Sequence, residues 1–171
     1  APVTLTCPEG IGRLAVRGPT GCRYLADDRQ TVYVQNGWNI TGDTYEVDED
    51  GYFWYKARSD DMIISAGYNI AGPEVESTLL AHPAVAECGV VGAPDPDRGH
   101  IVKAYVVLAP GVTGDAALVK ELQDYVKAEN APYKYPRAIE FVATLPRTET
   151  GKLQRFQLRQ IAEAAPAPAN T

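Results

Sequence analysis

Histidine is nearly absent from this chain: His82 and His100 are its only two, and they stand far apart. A histidine-based metal centre or catalytic triad therefore has little to assemble from, and both residues are expected at ordinary surface or boundary positions. Cysteine is equally sparse. Cys7, Cys22 and Cys88 are odd in number and show no Cys-x-x-Cys spacing, which argues against a zinc site or a disulfide framework and fits a reducing, cytoplasmic setting. No apolar run approaches the length of a membrane span, and the opening Ala1-Pro2-Val3-Thr4-Leu5 has no signal-peptide character. That opening is expected to be a cut inside a larger protein, and no membrane partner is expected. Basic residues are outnumbered, 16 against 22 acidic ones, for a net charge of −6. Wholesale nucleic-acid binding is disfavoured on that ground.

What remains is the profile of a folded protein: 171 residues, 45% hydrophobic and 22% charged, enough for one ordinary domain or two small ones. The charge is unevenly spread. Residues 1–97 hold 6 basic and 15 acidic side chains, whereas residues 98–159 hold 10 basic and 6 acidic ones. A basic half on an acidic chain is either a solvated face or a docking place for a polyphosphate ligand.

The first sixty residues read as β structure. Gly12 to Gly18 alternates Leu14 and Val16 with Arg13 and Arg17, and Thr31 to Val34 reads as a short strand. Thr44 to Val47 and Tyr52 to Tyr55 flank the turn Asp48-Glu49-Asp50-Gly51. These strands bury too little to fold alone and are expected to belong to a larger body. From Asp60 the texture changes. A strand at Met62-Ile63-Ile64 leads into a glycine-containing loop, 66–73, and a helix over 74–81 that ends at His82-Pro83. Strands follow at 85–91 and 101–108. Asp115 caps a helix with Leu118, Leu122, Tyr125 and Val126 on one face. A strand at 139–142, a polar loop at 146–151 and a helix at 153–163 complete the order, and the proline-rich tail, 164–171, is expected to stay flexible. The fold class is α+β, a short sheet covered by helices.

Three segments carry the chemistry: Ile40-Thr41-Gly42-Asp43, Ala57-Arg58-Ser59-Asp60-Asp61 and Leu145-Pro146-Arg147-Thr148-Glu149-Thr150-Gly151-Lys152. Each alone is common, but in this order they resemble the late motifs of the adenylate-forming superfamily, which includes acyl-CoA synthetases, firefly luciferase and peptide-synthetase adenylation domains. Ser65-Ala66-Gly67-Tyr68-Asn69-Ile70, His82-Pro83-Ala84-Val85 and Ala131-Pro132-Tyr133-Lys134-Tyr135-Pro136-Arg137 are most similar to medium-chain and to benzoate or 2-aminobenzoate CoA ligases. The resemblance implies that residues 1–59 are the β-rich end of a large N-terminal domain. Residues 60–171 would then be the small mobile C-terminal domain. The phosphate loop and acid pocket of the family would lie in the missing N-terminal domain, a partner this part cannot work without, so the 171 residues alone are expected to be inactive.

The implied reaction is an ATP-dependent, AMP-forming ligation: a carboxylate, a poor electrophile, becomes an acyl-adenylate, and CoA then displaces AMP to give a thioester. ATP with its Mg2+ and CoA are the implied co-substrates. By resemblance Lys152 is the catalytic lysine, Asp43 binds the ribose hydroxyls, and Arg58 contacts the nucleotide. Asp60 corresponds to the hinge. Ala66, Gly67, Tyr68, Arg98, Lys127, Tyr135 and Arg137 fall at CoA-contact positions. The residue types suit these tasks. A carboxylate accepts from two vicinal hydroxyls, a lysine stabilises developing charge, glycine lets a narrow arm pass, and aromatics cover a base while cations meet phosphates. Arg155, further along the final helix, is expected to serve neither half-reaction. Departures from the family pattern are Ala57 in place of glycine, Asn69 in place of arginine, and Pro73 one position late. Two other readings remain open: adenylation followed by transfer to a carrier-protein phosphopantetheine, and a non-catalytic nucleotide-binding module.

Overall fold

Two antiparallel hairpins built on Asn-Gly and Asp-rich turns organise the first part of the computed structural model, which describes residues 3–5, 10–18 and 28–164. Cys7, Cys22 and the tail beyond residue 164 lie outside the described residues. The chain divides into two compact units, 1–60 and 61–171.

In the first unit β4 (Trp38–Val47) is the backbone of an antiparallel sheet. It pairs with β2 (Ile11–Val16), with β3 (Val34–Gln35) near its start, and with β5 (Phe53–Arg58) near its end; β1 (Val3–Leu5) adds to β2. The expected turn between β4 and β5 is present and is tied by Asp48. Its Oδ1 accepts from the Tyr52 and Asp50 backbone N–H groups at 2.8 and 3.1 Å, and its Oδ2 accepts from Trp54 Nε1 at 2.6 Å. These bonds, Trp54 foremost, hold the Asp48 carboxyl below its ordinary pKa.

One expectation fails here. Thr31 to Val34 is not a strand: Arg29–Tyr33 forms the short helix α1, started by Thr31 bonding back to the Asp28 carbonyl through both N–H and hydroxyl, at 3.1 and 2.7 Å. Only Val34–Gln35 is extended, and it turns back through Asn36-Gly37, both at positive φ, the signature of a tight two-residue hairpin. The strand expected over Gly12 to Gly18 is present as β2, in which Gly12 and Ala15 are buried while Leu14 and Val16 are half-buried. An irregularity in the register between Arg13 and Ala15 shifts the alternation. The interior of this unit is small, with Ala15, Ile40, Thr44 and Ala57 buried, while Tyr52, Trp54 and Tyr55 are exposed.

The second unit is a three-layer α+β structure. β8 (Val85–Asp95) and β9 (Gly99–Leu108) form an antiparallel hairpin, and β10 (Ala138–Phe141) joins β9 in parallel. The sheet is buried on both faces, so its strands read as nearly continuous apolar runs. On one face Cys88, Val90, Val102, Ala104 and Val106 pack with Val75 and Leu79 of α2 (Gly72–Leu80) and with Leu118, Leu122 and Val126 of α3 (Ala116–Glu129). On the other, Val91, Ala93, Ile101 and Tyr105 pack with Leu158 and Ala162 of α4 (Arg155–Ala164). Asp115 caps α3 as expected, its carboxylate accepting from Leu118 N–H at 2.8 Å.

The segment 66–73, expected as a loop, is more ordered than that. β6 (Met62–Ser65) pairs with β7 (Tyr68–Ala71) across a two-residue turn, Ala66-Gly67, at φ +49° and +84°, and α2 starts directly after β7. A second correction concerns His82, which is buried at 7% exposure. Its Nδ1 accepts from Ala84 N–H at 3.2 Å and its Nε2 lies 3.2 Å from Glu121 Oε1. With Nδ1 accepting, Nε2 is the ring's donor toward Glu121, so His82 ties the turn after α2 to α3. His100 is exposed as expected.

Candidate functional site

Lys152 lies on the turn between β10 and α4. Thr148 and Lys152 close it: Thr148 N–H donates to the Lys152 carbonyl at 2.9 Å, and Lys152 N–H donates to Thr148 Oγ1 at 3.0 Å. Arg147 braces it from outside, Nη1 donating to the Gly151 carbonyl at 2.7 Å and Nε to Glu87 Oε2 of β8 at 3.2 Å. The backbone of Lys152 is thus fixed while its side chain is exposed. The helix expected to start at Leu153 starts at Arg155, because Arg147 and Leu153 form a β-bridge first. Lys152 therefore precedes the helix by three residues.

In the first unit Asp43 and Arg58 sit directly opposite each other on β4 and β5. Arg58 Nε is 3.6 Å from Asp43 Oδ1, and the guanidinium lies over Gly42, where a Cβ would come within 3.4 Å of Nη2. Thr41 Oγ1 accepts from Asp43 N–H at 3.3 Å and donates to the Leu14 carbonyl at 3.2 Å, fixing the part of β4 that presents the carboxylate. Thr44 and Ser59 share a hydroxyl–hydroxyl bond of 3.1 Å below the pair. Asp60 ends this unit, within a 3-10 turn over Ser59–Asp61.

The seven residues expected at CoA-contact positions fall into two groups on the second unit. In the first, Ala66, Gly67 and Tyr68 form the exposed β6–β7 turn, and Ala66 N–H donates to the Arg98 carbonyl at 3.0 Å, joining it to the β8–β9 turn. In the second, the Tyr135 ring is covered by two cations, Lys127 Nζ at 4.4 Å and Arg137 Cζ at 5.0 Å from its centroid. Tyr133, absent from the expected set, stacks on Tyr68 with centroids 4.4 Å apart and planes at 18°. It lies on the 3-10 turn Pro132–Lys134 just ahead of Tyr135, so this turn links the groups. The signal was present in the sequence as a second aromatic inside Pro132-Tyr133-Lys134-Tyr135-Pro136. Both lysines of this region are paired, Lys127 Nζ with Asp124 Oδ1 at 3.0 Å and Lys134 Nζ with Glu74 Oε1 at 2.7 Å. Lys152 stands on a separate turn. Among the described residues no cluster of three or more metal-ligating side chains occurs, and no helix is long and apolar enough to cross a membrane.

Residues 74–152 match the family of AMP-binding enzyme C-terminal domains. The chain belongs to the adenylate-forming superfamily. Its relatives there are acyl-CoA ligases. The uncharacterized acyl-CoA ligase YtcI of Bacillus subtilis (strain 168) is 47% identical over 157 residues, covering 90% of this chain and 30% of its own length. The mitochondrial acyl-coenzyme A synthetase ACSM3 of Rattus norvegicus is 52% identical over 140 residues, 80% of this chain and 24% of its own. Among solved structures, the anthranilate CoA ligase AuaEII in complex with anthranoyl-AMP superposes with a TM-score of 0.77 at 42% identity. That match covers 95% of this chain and 33% of the AuaEII chain. The o-succinylbenzoate CoA synthetase of Bacillus subtilis, in complex with an acyl-adenylate intermediate, gives a TM-score of 0.75 at 37% identity over 92% of this chain and 33% of that one. The chain spans less than a third of the length of the curated relatives it matches. The α+β fold of the second unit is that of the superfamily's C-terminal domain.

Proposed function

We propose that this chain is the C-terminal part of an AMP-forming acid–CoA ligase acting on 2-aminobenzoate, benzoate or another aromatic or medium-chain carboxylic acid. In the first half-reaction a carboxylate oxygen attacks the α-phosphorus of Mg2+-bound ATP and pyrophosphate leaves. In the second the CoA thiol attacks the acyl carbon, AMP leaves, and the thiol proton passes to solvent or a base. Lys152 serves the first step as a positive charge on a fixed turn, stabilising the negative charge that builds at the α-phosphate. Asp43 accepts from the ribose hydroxyls, and Arg58, opposite it on β5, contacts the nucleotide. Asp60 is the hinge, and residues 60–171 are the domain that turns about it, with residues 1–59 the end of the large domain.

The observation that carries the CoA reading is the ring of Tyr135 under Lys127 and Arg137, beside the Tyr68–Tyr133 stack. Cations over aromatics suit a ligand with phosphates at one end of a purine. The aromatic acids enter this reading through the 42% identity of this part to an anthranilate CoA ligase, and because the acid pocket would lie in the N-terminal domain the choice of acid rests on the panel below. The test uses the full-length protein with Mg2+, ATP, free CoA and a panel that includes 2-aminobenzoate, benzoate and octanoate. Acid-dependent release of AMP and pyrophosphate with matching acyl-CoA is expected. Acyl transfer to a carrier-protein phosphopantetheine but not to free CoA would replace this reading, and no acid-dependent pyrophosphate at all would leave only nucleotide binding.

A further inference from the structure

Four charged side chains meet inside the second unit and are not used by the proposed chemistry. Arg155, the first residue of α4, donates from Nε to Glu76 Oε1 at 2.9 Å and from Nη2 to Glu76 Oε2 at 2.5 Å. Its Nη1 is 3.7 Å from Asp61 Oδ2, and Arg159, one turn on, donates from Nη1 to Asp61 Oδ1 at 3.0 Å. Glu76 Oε1 also accepts from Val90 N–H at 2.8 Å. The two carboxylate side chains are only 8% and 12% exposed. The cluster thus joins α2, β8, α4 and the first residue of the unit.

Its worth is not chiefly stability, because desolvating such groups offsets most of their attraction, and apolar packing of equal volume does as well. What a forked guanidinium on a carboxylate supplies is orientation: two parallel bonds fix both direction and rotation, which a lysine cannot do. The place of this fork matters. Arg155 lies three residues after Lys152, and Gln154 N–H donates to the Pro146 carbonyl at 2.9 Å across the base of the same turn. At the cluster's other end Asp61 directly follows Asp60.

We infer that Arg155 is a positioning residue for Lys152: its fork on Glu76 and Asp61 locks the Lys152 turn to the segment that leaves Asp60. Rotation about Asp60 is then delivered to Lys152 as rigid-body movement, without slack between the pivot and the charge. This rests on the proposed roles of Lys152 as catalytic cation and Asp60 as hinge, and it assigns Arg155 a task that the sequence did not.

A double-mutant cycle in the full-length protein tests it. Arg155→Lys keeps one positive charge but removes the fork. Acid-dependent adenylation should fall about tenfold in kcat, since small misplacements of a reacting group cost this much or more. The KM for ATP, and thioester formation from synthetic acyl-adenylate plus CoA, should each stay within about twofold. In a Lys152→Ala background the same change should cost less than about twofold, because there is then no lysine to position. Equal losses in both backgrounds, or equal losses in both half-reactions, would make Arg155 merely structural and overturn the inference. If Arg155→Lys does not fold, Arg159→Gln, which loosens only the Asp61 end, takes its place with the same expected pattern at smaller size. Lys152→Ala adenylating normally would instead remove the underlying reading of Lys152, a different and separately visible failure.

Discussion

Gly72 opens α2 where the helix lies against the sheet, and Gly72→Ala sets two effects against each other. A Cβ there would stand 2.9 Å from the Val90 carbonyl oxygen and 3.2 Å from that of Asp61. Both are backbone atoms, and the Val90 carbonyl belongs to the central hairpin, so neither can swing aside like a side-chain end. Overpacking of this kind costs about 1–3 kcal/mol. Against it stands the gain from replacing glycine at an allowed helical position, about 0.4–1 kcal/mol through the unfolded chain. The clash wins, leaving a net loss of about 1–2 kcal/mol. Near 60 °C a unit of this size loses about 4 °C for each kcal/mol, so Tm should fall by about 4–8 °C. Scanning calorimetry of the 171-residue chain reads this directly. Gly89→Ala is the comparison, since its Cβ would meet Leu158 Cδ1 and Leu153 Cδ2, the ends of two flexible side chains; its loss should be the smaller. A Gly72→Ala chain as stable as the parent would refute the reasoning, as would one less affected than Gly89→Ala.

Arg155→Ala strands Glu76 and Asp61 with less compensation and should cost about 3 kcal/mol in urea unfolding; a loss below about 1 kcal/mol would contradict the burial of the pair. At Gly67 φ is +84° and the space a Cβ would enter is open to 4 Å, so alanine brings the backbone strain and leucine adds bulk to it. Gly67→Leu should therefore slow thioester formation in the full-length protein at least about tenfold more than Gly67→Ala while sparing adenylation, and equal effects would reduce the residue to a turn former. Cys88 is buried, and that burial, with Glu76 beside it, pushes its thiol from 9.0 up to about 12. The folded state thus favours the protonated thiol. Its contribution to stability is complete below pH 9.0 and fades as pH rises toward about 12. Cys88→Ala should accordingly flatten the loss of stability over that window in urea titrations, and an unchanged slope would contradict the assignment.

The second unit was largely legible because two-sided burial writes long apolar strands and the helices are punctuated by Asp115, Pro83 and Pro132. The first unit was less so. Short strands with small inward residues leave a weak alternation, and a register irregularity at Arg13 to Ala15 blurs it further. Asn36-Gly37 was a strong hairpin signal that the strand reading of 31–34 concealed, and Ala66-Gly67 was missed because alanine rarely adopts positive φ. At the candidate site the motif residues announced themselves through their order along the chain, but their supports did not. Glu76 and Arg155 are 79 residues apart, and no local pattern says that such a pair will meet. Arg155 consequently reads in the sequence as serving neither half-reaction, and in the structure it is a half-buried side chain paired with two carboxylates. Tyr133 lies within the motif 131–137, and only its stacking on Tyr68 distinguishes it from its neighbours.

If Lys152 supplies charge to adenylation alone, the two half-reactions of Lys152→Ala in the full-length protein must part company. Acid-dependent ATP–pyrophosphate exchange should slow by about a hundredfold or more, the usual cost of one electrostatic contact made at the transition state. Thioester formation from synthetic acyl-adenylate plus CoA should proceed at close to the parent rate. Unchanged exchange would contradict the catalytic assignment, and comparable losses in both steps would contradict the confinement of Lys152 to the first.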